Sequence, residues 1–125
     1  MSATILVVDD DASIVNLLKE DLEQEGYHIL KGYDGHMALQ MAKSSQPELI
    51  ILDINMPMLG GLKALEYLRA LPETKNIPIL FLSGEASSNV APALESAYRV
   101  AHVKKPIDLD DLNSLVRQLL KKYPI

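Results

Sequence analysis

Short apolar runs alternate with longer amphipathic stretches along the chain. The run Ile5 to Val8 predicts a strand, and the stretch Ile14 to Leu22 predicts a helix. The apolar positions of that helix that are spaced for one face are Ile14, Leu17, Leu18 and Leu22. The chain therefore opens with a strand followed by a helix.

This alternation recurs four times. Further strands are predicted at Tyr27 to Leu30, Glu48 to Leu52, Ile79 to Leu82 and Val100 to Val103. One helix is predicted near Gly35 to Ser44, and another begins after Gly60-Gly61 and carries Leu62, Leu65 and Leu68. A further helix is predicted around Ala86 to Ala97, where Pro92 favours an irregular first turn. Asp108 predicts the cap of a last helix that turns Leu112, Leu115, Val116, Leu119 and Leu120 inward.

The predicted strands are continuous apolar runs separated by helices. Such strands are typical of a parallel sheet with helices on both faces, which places the chain in the α/β class. Its 125 residues fit one domain over 1–125, and 48% hydrophobic residues exclude a disordered chain.

The formal net charge of −5 argues against a surface that neutralises nucleic-acid phosphates, so we expect no nucleic-acid partner. The absence of cysteine excludes a disulfide framework and a thiolate metal site. No stretch approaches the roughly 20 apolar residues of a membrane span, and the N-terminus lacks the pattern of a signal peptide. We therefore expect a soluble, cytoplasmic protein.

Polar side chains follow four of the predicted strands. Asp9 and Asp10 follow the first strand, Asp53 the third, Ser83 the fourth and Lys105 the fifth. Because ligands of open parallel sheets bind outside the carboxyl ends of the strands, these groups are expected to converge. A neighbouring acid, Asp11, is interpreted as a helix cap rather than a site residue.

Three carboxylates close together require a positive partner. Hard oxygen ligands favour Mg²⁺, held by one or two carboxylates and a phosphate. Lys105 adds a second positive charge, and Ser83 adds a donor for a phosphoryl oxygen. Taken singly, Lys105 could be a surface lysine and Ser83-Gly84 a turn, but their joint position at strand ends favours a phosphoryl-transfer site.

Four blocks, ILVVDDD, ILDINMPMLGG, ILFLSG and VKKP, resemble in order and spacing the signature motifs of response-regulator receiver domains of two-component systems. The resemblance covers essentially the whole chain. It implies a flavodoxin-like (βα)5 fold whose five-stranded parallel sheet has the order 2-1-3-4-5, with the first and third strands side by side.

The resemblance also implies the roles of the site residues. Asp9 and Asp10 would bind Mg²⁺ together with the phosphoacceptor Asp53, and Asn55 would offer its backbone carbonyl to the metal. Ser83 would be the switch hydroxyl that contacts the phosphoryl group. Lys105 would pair with that group, with a cis peptide bond before Pro106.

Two positions depart from the family pattern. His102 stands where the family commonly has an aromatic switch residue, which puts that switching step in question. The segment Ser96 to Ala101 lacks the small Gly-Ala pair common before the fifth strand, so an unusual loop is expected there.

The implied phosphoryl donor is a phosphohistidine on a sensor histidine kinase or a histidine phosphotransfer protein. The chain ends one helix after Lys105, so we expect no effector domain in cis. Output would pass to a downstream protein through the face formed by the fourth helix, the fifth strand and the fifth helix. The protein would not be an enzyme with external substrates, since it promotes only its own aspartyl phosphorylation and dephosphorylation.

Other functions remain open on the sequence. A receiver-like scaffold that does not switch is supported by the departure at His102. A Mg²⁺-dependent aspartyl phosphohydrolase is disfavoured because Asn55, not an acid, stands two residues after Asp53 and these 125 residues leave no room for a cap domain over a substrate. A flavin carrier would need a phosphate-binding loop where this chain has aspartates.

Overall fold

The computed structural model describes residues 2–84, 94 and 96–124. Its strands are β1 (Thr4–Val8), β2 (His28–Gly32), β3 (Leu49–Asp53), β4 (Ile79–Ser83) and β5 (Val100–Lys104). Its helices are α1 (Ala12–Gln24), α2 (Gly35–Ser45), α3 (Gly61–Ala70) and α4 (Leu109–Lys122). The helix expected over 86–97 lies almost entirely outside the described residues, so α4 is the fifth helix of the sequence prediction.

All neighbouring strands pair in parallel, and the order β2-β1-β3-β4-β5 confirms the flavodoxin-like prediction. In the register of β1 with β3, Val8 lies opposite Leu52. Each of these residues is followed directly by an aspartate, Asp9 and Asp53. The topology therefore brings these two carboxylates to the same end of neighbouring strands.

The core has two apolar layers, one on each face of the sheet. On one face α1 and α4 bury Val15, Leu18, Leu22, Leu112, Val116 and Leu119. On the other face α2 and α3 bury Ala38, Ala42, Ala64 and Leu68, most of which have small side chains. Leu94 is buried on the same face. Because β3 and β4 are buried along their whole length, they read in the sequence as unbroken apolar runs.

Two details of the sequence prediction were wrong. Leu17, placed on the inner face of the first helix, is 46% exposed, because the buried face follows Val15, Leu18 and Leu22 instead. The second strand runs from His28 to Gly32, later than predicted, because β1 pairs with it as far as Gly32.

Aspartate side chains begin three of the helices. Asp11 accepts a hydrogen bond from the backbone N–H of Ser13, Asp34 from that of Met37, and Asp108 from that of Asp111. These bonds satisfy amide groups that have no partner within the helix, and they confirm the capping roles of Asp11 and Asp108. Among the described helices, none is long and apolar enough to cross a bilayer.

Candidate functional site

Two buried carboxylates lie at the carboxyl end of the sheet. Asp9, directly after β1, is fully buried, and Asp53, the last residue of β3, is 3% exposed. One oxygen of Asp9 accepts the backbone N–H of Asp11 at 2.9 Å. Carboxylates are rarely buried without a charged or hydrogen-bonding partner, so the pair is a candidate functional site.

The side chain of Lys105 supplies that partner. It follows β5, and its backbone N–H donates to the carbonyl of Ser83 at 2.8 Å, which ties the end of β5 to β4. Its ammonium nitrogen lies 3.0 Å from Oδ2 of Asp9 and 3.5 Å from Oδ1 of Asp53. The peptide bond between Lys105 and Pro106 is cis, as the resemblance implied.

The surroundings of Asp53 raise the pKa of its carboxyl group. Burial, and then repulsion from Asp9, raise the pKa of Asp53 to about 6, although Lys105 and a hydrogen bond from the backbone of Asn55 act in the opposite direction. Burial lowers the pKa of Lys105, but hydrogen bonds and attraction to Asp9 and Asp53 outweigh burial and raise it overall. The site therefore holds more negative charge than one lysine can balance.

A third carboxylate, Asp10, stands at the same place but is exposed to solvent. One oxygen from each of Asp9, Asp10 and Asp53 can be chosen so that all three lie within 4.8 Å of one another. This spacing is compatible with three carboxylates near a single Mg²⁺ ion, whose oxygen ligands lie about 2.1 Å from the metal. The set combines hard oxygen donors with uncompensated charge, which suits Mg²⁺.

Ser83 and His102 lie farther along the sheet, toward its β5 edge. Ser83, at the end of β4, is 1% exposed, and its hydroxyl donates to the carbonyl of Val103 at 3.4 Å. His102 lies in β5 opposite Phe81 and is half-buried. The structure thus places the expected switch hydroxyl beside the strand that carries the expected switch residue.

The loop after Asp53 is held by close glycine contacts. The N–H of Gly61 donates to the carbonyl of Ile54 at 2.9 Å, and a Cβ on Gly61 would lie 2.3 Å from the carbonyl oxygen of Asp53. A Cβ on Gly35, at the start of α2, would lie 2.2 Å from the carbonyl oxygen of Leu59. These contacts hold the loop between Asp53 and α3, which carries the exposed Asn55.

Sequence reasoning missed the supporting role of Gly35. It identified Gly35 only as the start of the predicted helix Gly35 to Ser44. The contact with Leu59 joins segments that are distant in the sequence, and nothing in the local pattern indicates that they meet.

The chain is similar to known proteins. A family model described as the response regulator receiver domain matches residues 5–117. The chain belongs to this family. The receiver is 36% identical over 125 residues to the uncharacterized transcriptional regulatory protein YrkP of Bacillus subtilis, which covers 100% of this chain and 52% of YrkP. It is 35% identical over 122 residues to the response regulator MprA of Mycobacterium ulcerans, covering 98% of this chain and 52% of MprA.

The receiver thus spans about half the length of these curated relatives. Among solved structures, it is similar to the receiver domain of the Francisella response regulator 1452, with 30% identity, a TM-score of 0.85, and coverage of 97% of this chain and 98% of that one. It is also similar to the chemotaxis protein CheY4 of Vibrio cholerae, with 28% identity, a TM-score of 0.86, and coverage of 96% and 100%. The family places the chain in two-component signalling.

Proposed function

We propose that this receiver accepts a phosphoryl group on Asp53, with the help of Mg²⁺, from a phosphohistidine on a sensor histidine kinase or a histidine phosphotransfer protein. The observation that carries the proposal is the position of Lys105 between two buried carboxylates, 3.0 Å from Asp9 and 3.5 Å from Asp53. One ammonium group cannot balance these carboxylates and Asp10. The site is therefore suited to a divalent cation and, with it, a phosphoryl group.

The residues that would hold Mg²⁺ are Asp9, Asp10 and Asp53, with the backbone carbonyl of Asn55 as a further ligand. The bound ion would neutralise charge on the phosphoryl oxygens and orient them. Asp9 is positioned for this role by the backbone N–H of Asp11, which fixes one of its carboxylate oxygens. Asp10, being exposed, can adjust to the ion and leave room for coordinated water.

In the proposed reaction a carboxylate oxygen of Asp53 attacks the phosphorus atom of the phosphohistidine. The new P–O bond forms as the P–N bond breaks, and the donor imidazole leaves with the electron pair of that bond. Because burial and Asp9 hold the pKa of Asp53 at about 6, most of the Asp53 carboxyl is ionised and nucleophilic near neutral pH. Lys105 would then pair with an oxygen of the transferred group.

Phosphorylation would change the contacts of Ser83. Its hydroxyl donates over 3.4 Å to the carbonyl of Val103, a long bond that is easily exchanged. Turning toward a phosphoryl oxygen on Asp53, the hydroxyl would release that carbonyl in β5. His102 directly precedes Val103 in β5. Loss of the hydrogen bond to Val103 would therefore affect the backbone next to the position where the family commonly has its aromatic switch residue.

A partner that reads this change must bind the two forms with different affinities. We propose that a downstream protein does so through the surface of β5, α4 and the neighbouring segment 86–97. The receiver would modify only itself and turn over no external substrate, and it would act in the cytoplasm, where ATP charges the donor kinase. A receiver that binds partners without switching is the competing function, and His102 is the feature that favours it.

Labelling with a small acyl phosphate tests the proposal. Intact-mass measurement is expected to show one added phosphoryl group on the wild type in the presence of Mg²⁺, and none after chelation of the metal. Asp53→Asn should take up no label, whereas Asp21→Asn, a change on α1, should label like the wild type. Equal labelling of Asp53→Asn and wild type would refute the assignment of the phosphoacceptor.

A further inference from the structure

A group of cations and tyrosines lies where β5 begins, at the end of the strands opposite to the carboxylates. The Cζ atom of Arg99 lies 5.3 Å from the ring centre of Tyr98 and 4.8 Å from that of Tyr123. Arg69, at the end of α3, lies 5.6 Å from the Tyr98 ring, and the Nζ atom of Lys122 lies 5.4 Å from the Tyr123 ring. All four distances are within the range of cation–π attraction. We call these five residues the cation–tyrosine cluster.

Backbone carbonyls hold the cluster in one geometry. Arg69 donates to the carbonyls of Ile77 at 2.8 Å, Tyr98 at 2.9 Å and Arg99 at 3.3 Å. Arg99 donates to the carbonyl of Asn76 at 3.0 Å, and the Tyr98 hydroxyl donates to the side-chain oxygen of Asn76 at 2.8 Å. Tyr98 is nevertheless 57% exposed. The cluster is therefore a built surface with an aromatic ring open to solvent.

This surface coincides with the segment Ser96 to Ala101, which lacks the small residues common in the family. Arg99 has a φ of +53°, a left-handed conformation that glycine adopts without strain and arginine only at a cost. The stacking and hydrogen bonds of its guanidinium group offset that cost. The side chain at this position thus makes a contribution that a small residue could not make.

The cations of this surface have no acidic partner in the described part of the chain. Lys75, an exposed residue, lines a groove of about 420 Å³ with Arg69, Asn76 and Tyr98. None of the ion pairs among the described residues involves Lys75 or any cation of the cluster. One carboxylate, Glu73, lines the adjoining groove with Arg99, and the ion pairs of the described residues do not include it. In a protein with a formal net charge of −5, four cations that outnumber this carboxylate form a local positive patch.

We propose that this patch binds an acidic segment of a partner protein, with carboxylates on Lys75, Arg99 and Lys122 and an apolar side chain against the ring of Tyr98. Four cations are too few for a nucleic-acid surface, because specific duplex binders contact roughly 6–10 phosphates. They do match a few carboxylates of a peptide, and an exposed tyrosine flanked by arginines is a typical protein-binding surface.

The proposed docking is independent of phosphorylation. Asp53 ends β3, whereas the cluster lies where β5 begins, so the two sites are separated by about the length of a five-residue strand, roughly 16 Å. The salt bridges of the phosphorylation site do not include any residue of the cluster. The patch would hold a partner in place while the other end of the sheet changes state.

A binding assay with a defined probe tests the proposal. The probe is a fluorescein-labelled peptide of alternating glutamate and leucine, and its control has glutamine in place of glutamate. Fluorescence anisotropy should show binding of the glutamate peptide that weakens with added salt, and about tenfold weaker binding of the glutamine peptide. Beryllofluoride with Mg²⁺, which mimics the phosphoryl group, should leave the affinity of the wild type for the glutamate peptide unchanged.

Charge-reversal variants localise the binding. Lys75→Glu and Lys122→Glu are each expected to lower the affinity for the glutamate peptide at least about fivefold, because an attraction becomes a repulsion. Lys121→Glu is the matched control, since this exposed lysine is the neighbour of Lys122 but lines a different groove, with Tyr27 and Arg117. Thermal melts should show that all three variants fold, as each change is at an exposed side chain.

Three outcomes would overturn the proposal. The first is equal affinity of Lys75→Glu, Lys122→Glu and wild type for the glutamate peptide. The second is an equal loss of affinity for the glutamate peptide in Lys121→Glu, which would show a general charge effect. The third is tighter binding of a single-stranded oligonucleotide or of vesicles with anionic phospholipid than of the glutamate peptide, with the same dependence on Lys75. That result would assign the patch to a different class of partner.

Discussion

The ammonium group of Lys105 forms the shorter of its two ion pairs, 3.0 Å, with Asp9, while Asp53 lies 3.5 Å away. The pKa of Asp53 rises to about 6 through burial and repulsion from Asp9. The surroundings of Asp53, the proposed phosphoacceptor, therefore oppose its ionisation. This asymmetry leads to predictions on stability, titration and metal binding.

Replacement of Asp53 by Asn is expected to stabilise the metal-free protein near pH 7.5. The folded pKa of about 6 exceeds the ordinary value of 3.8, so ionisation of Asp53 costs stability as the pH rises from about 4 to above 6. Removing the charge should raise the free energy of unfolding by about 1–3 kcal/mol. Urea unfolding with a chelator checks this. The gain should vanish near pH 3.5, where both states of the wild type are protonated. A gain that does not vary with pH would contradict this origin.

Mg²⁺ should stabilise the wild type through the same carboxylates. A ligand that binds only the folded state at about 100 times its dissociation constant contributes about 2.7 kcal/mol. The shift in melting temperature with Mg²⁺ should be much smaller in Asp10→Ala, which removes one of the three candidate ligands. Glu20→Gln, an exposed change on α1, is the control and should keep the full shift. An unchanged shift in Asp10→Ala would exclude this residue as a ligand.

Replacement of Lys105 by Met should raise the pKa of Asp53 above about 6. The attraction and hydrogen bond of Lys105 are among the effects that lower it, whereas burial and Asp9 remain. Carboxyl-carbon NMR of the metal-free protein measures the titration directly. Lys104→Met is a matched control, because Lys104 is the preceding residue and is exposed. If the pKa of Asp53 is the same in both variants, the contact with Lys105 does not lower the pKa of this carboxyl.

Gly35→Ala should displace the loop that follows Asp53. The added Cβ would lie 2.2 Å from the carbonyl oxygen of Leu59, so backbone must move. We expect a loss of about 1–3 kcal/mol in the free energy of unfolding, as for other overpacked sites, and weaker Mg²⁺ binding through Asn55. In Gly84→Ala the new Cβ meets no atom within 4 Å, so its stability should change little. Wild-type stability of Gly35→Ala would show that the loop adapts freely.

Ser83→Ala should uncouple β5 from Asp53 while leaving Asp53 able to accept a phosphoryl group. The Ser83 hydroxyl donates a hydrogen bond to the carbonyl of Val103, and alanine has no hydroxyl to make this bond. Backbone amide NMR with beryllofluoride and Mg²⁺ should show large shifts at Val103 and His102 in the wild type and small shifts in Ser83→Ala. Ser44→Ala, on α2, should respond like the wild type. Equal shifts in all three proteins would favour a receiver that does not switch through Ser83.

The alternation of apolar runs and amphipathic stretches was enough to predict the class of the fold. Strands buried on both faces, such as β3 and β4, have no polar alternation, which distinguishes a parallel sheet from the sequence alone. The strand order was not derivable from that pattern; it came from the resemblance of the motifs. Periodicity also misplaced Leu17, because several helical faces fit the apolar positions of α1 and only packing on the sheet selects one.

For the site, the sequence alone determined which groups stand at the strand ends: Asp9, Asp10, Asp53, Ser83 and Lys105. Only the tertiary structure decided how they are paired, with Lys105 between Asp9 and Asp53 and Ser83 turned toward Val103. It also brought Gly35 against Leu59 and Tyr98 between two arginines. Distances and burial depend on the parallel registers and on contacts between residues far apart in the chain, which local composition and spacing do not encode.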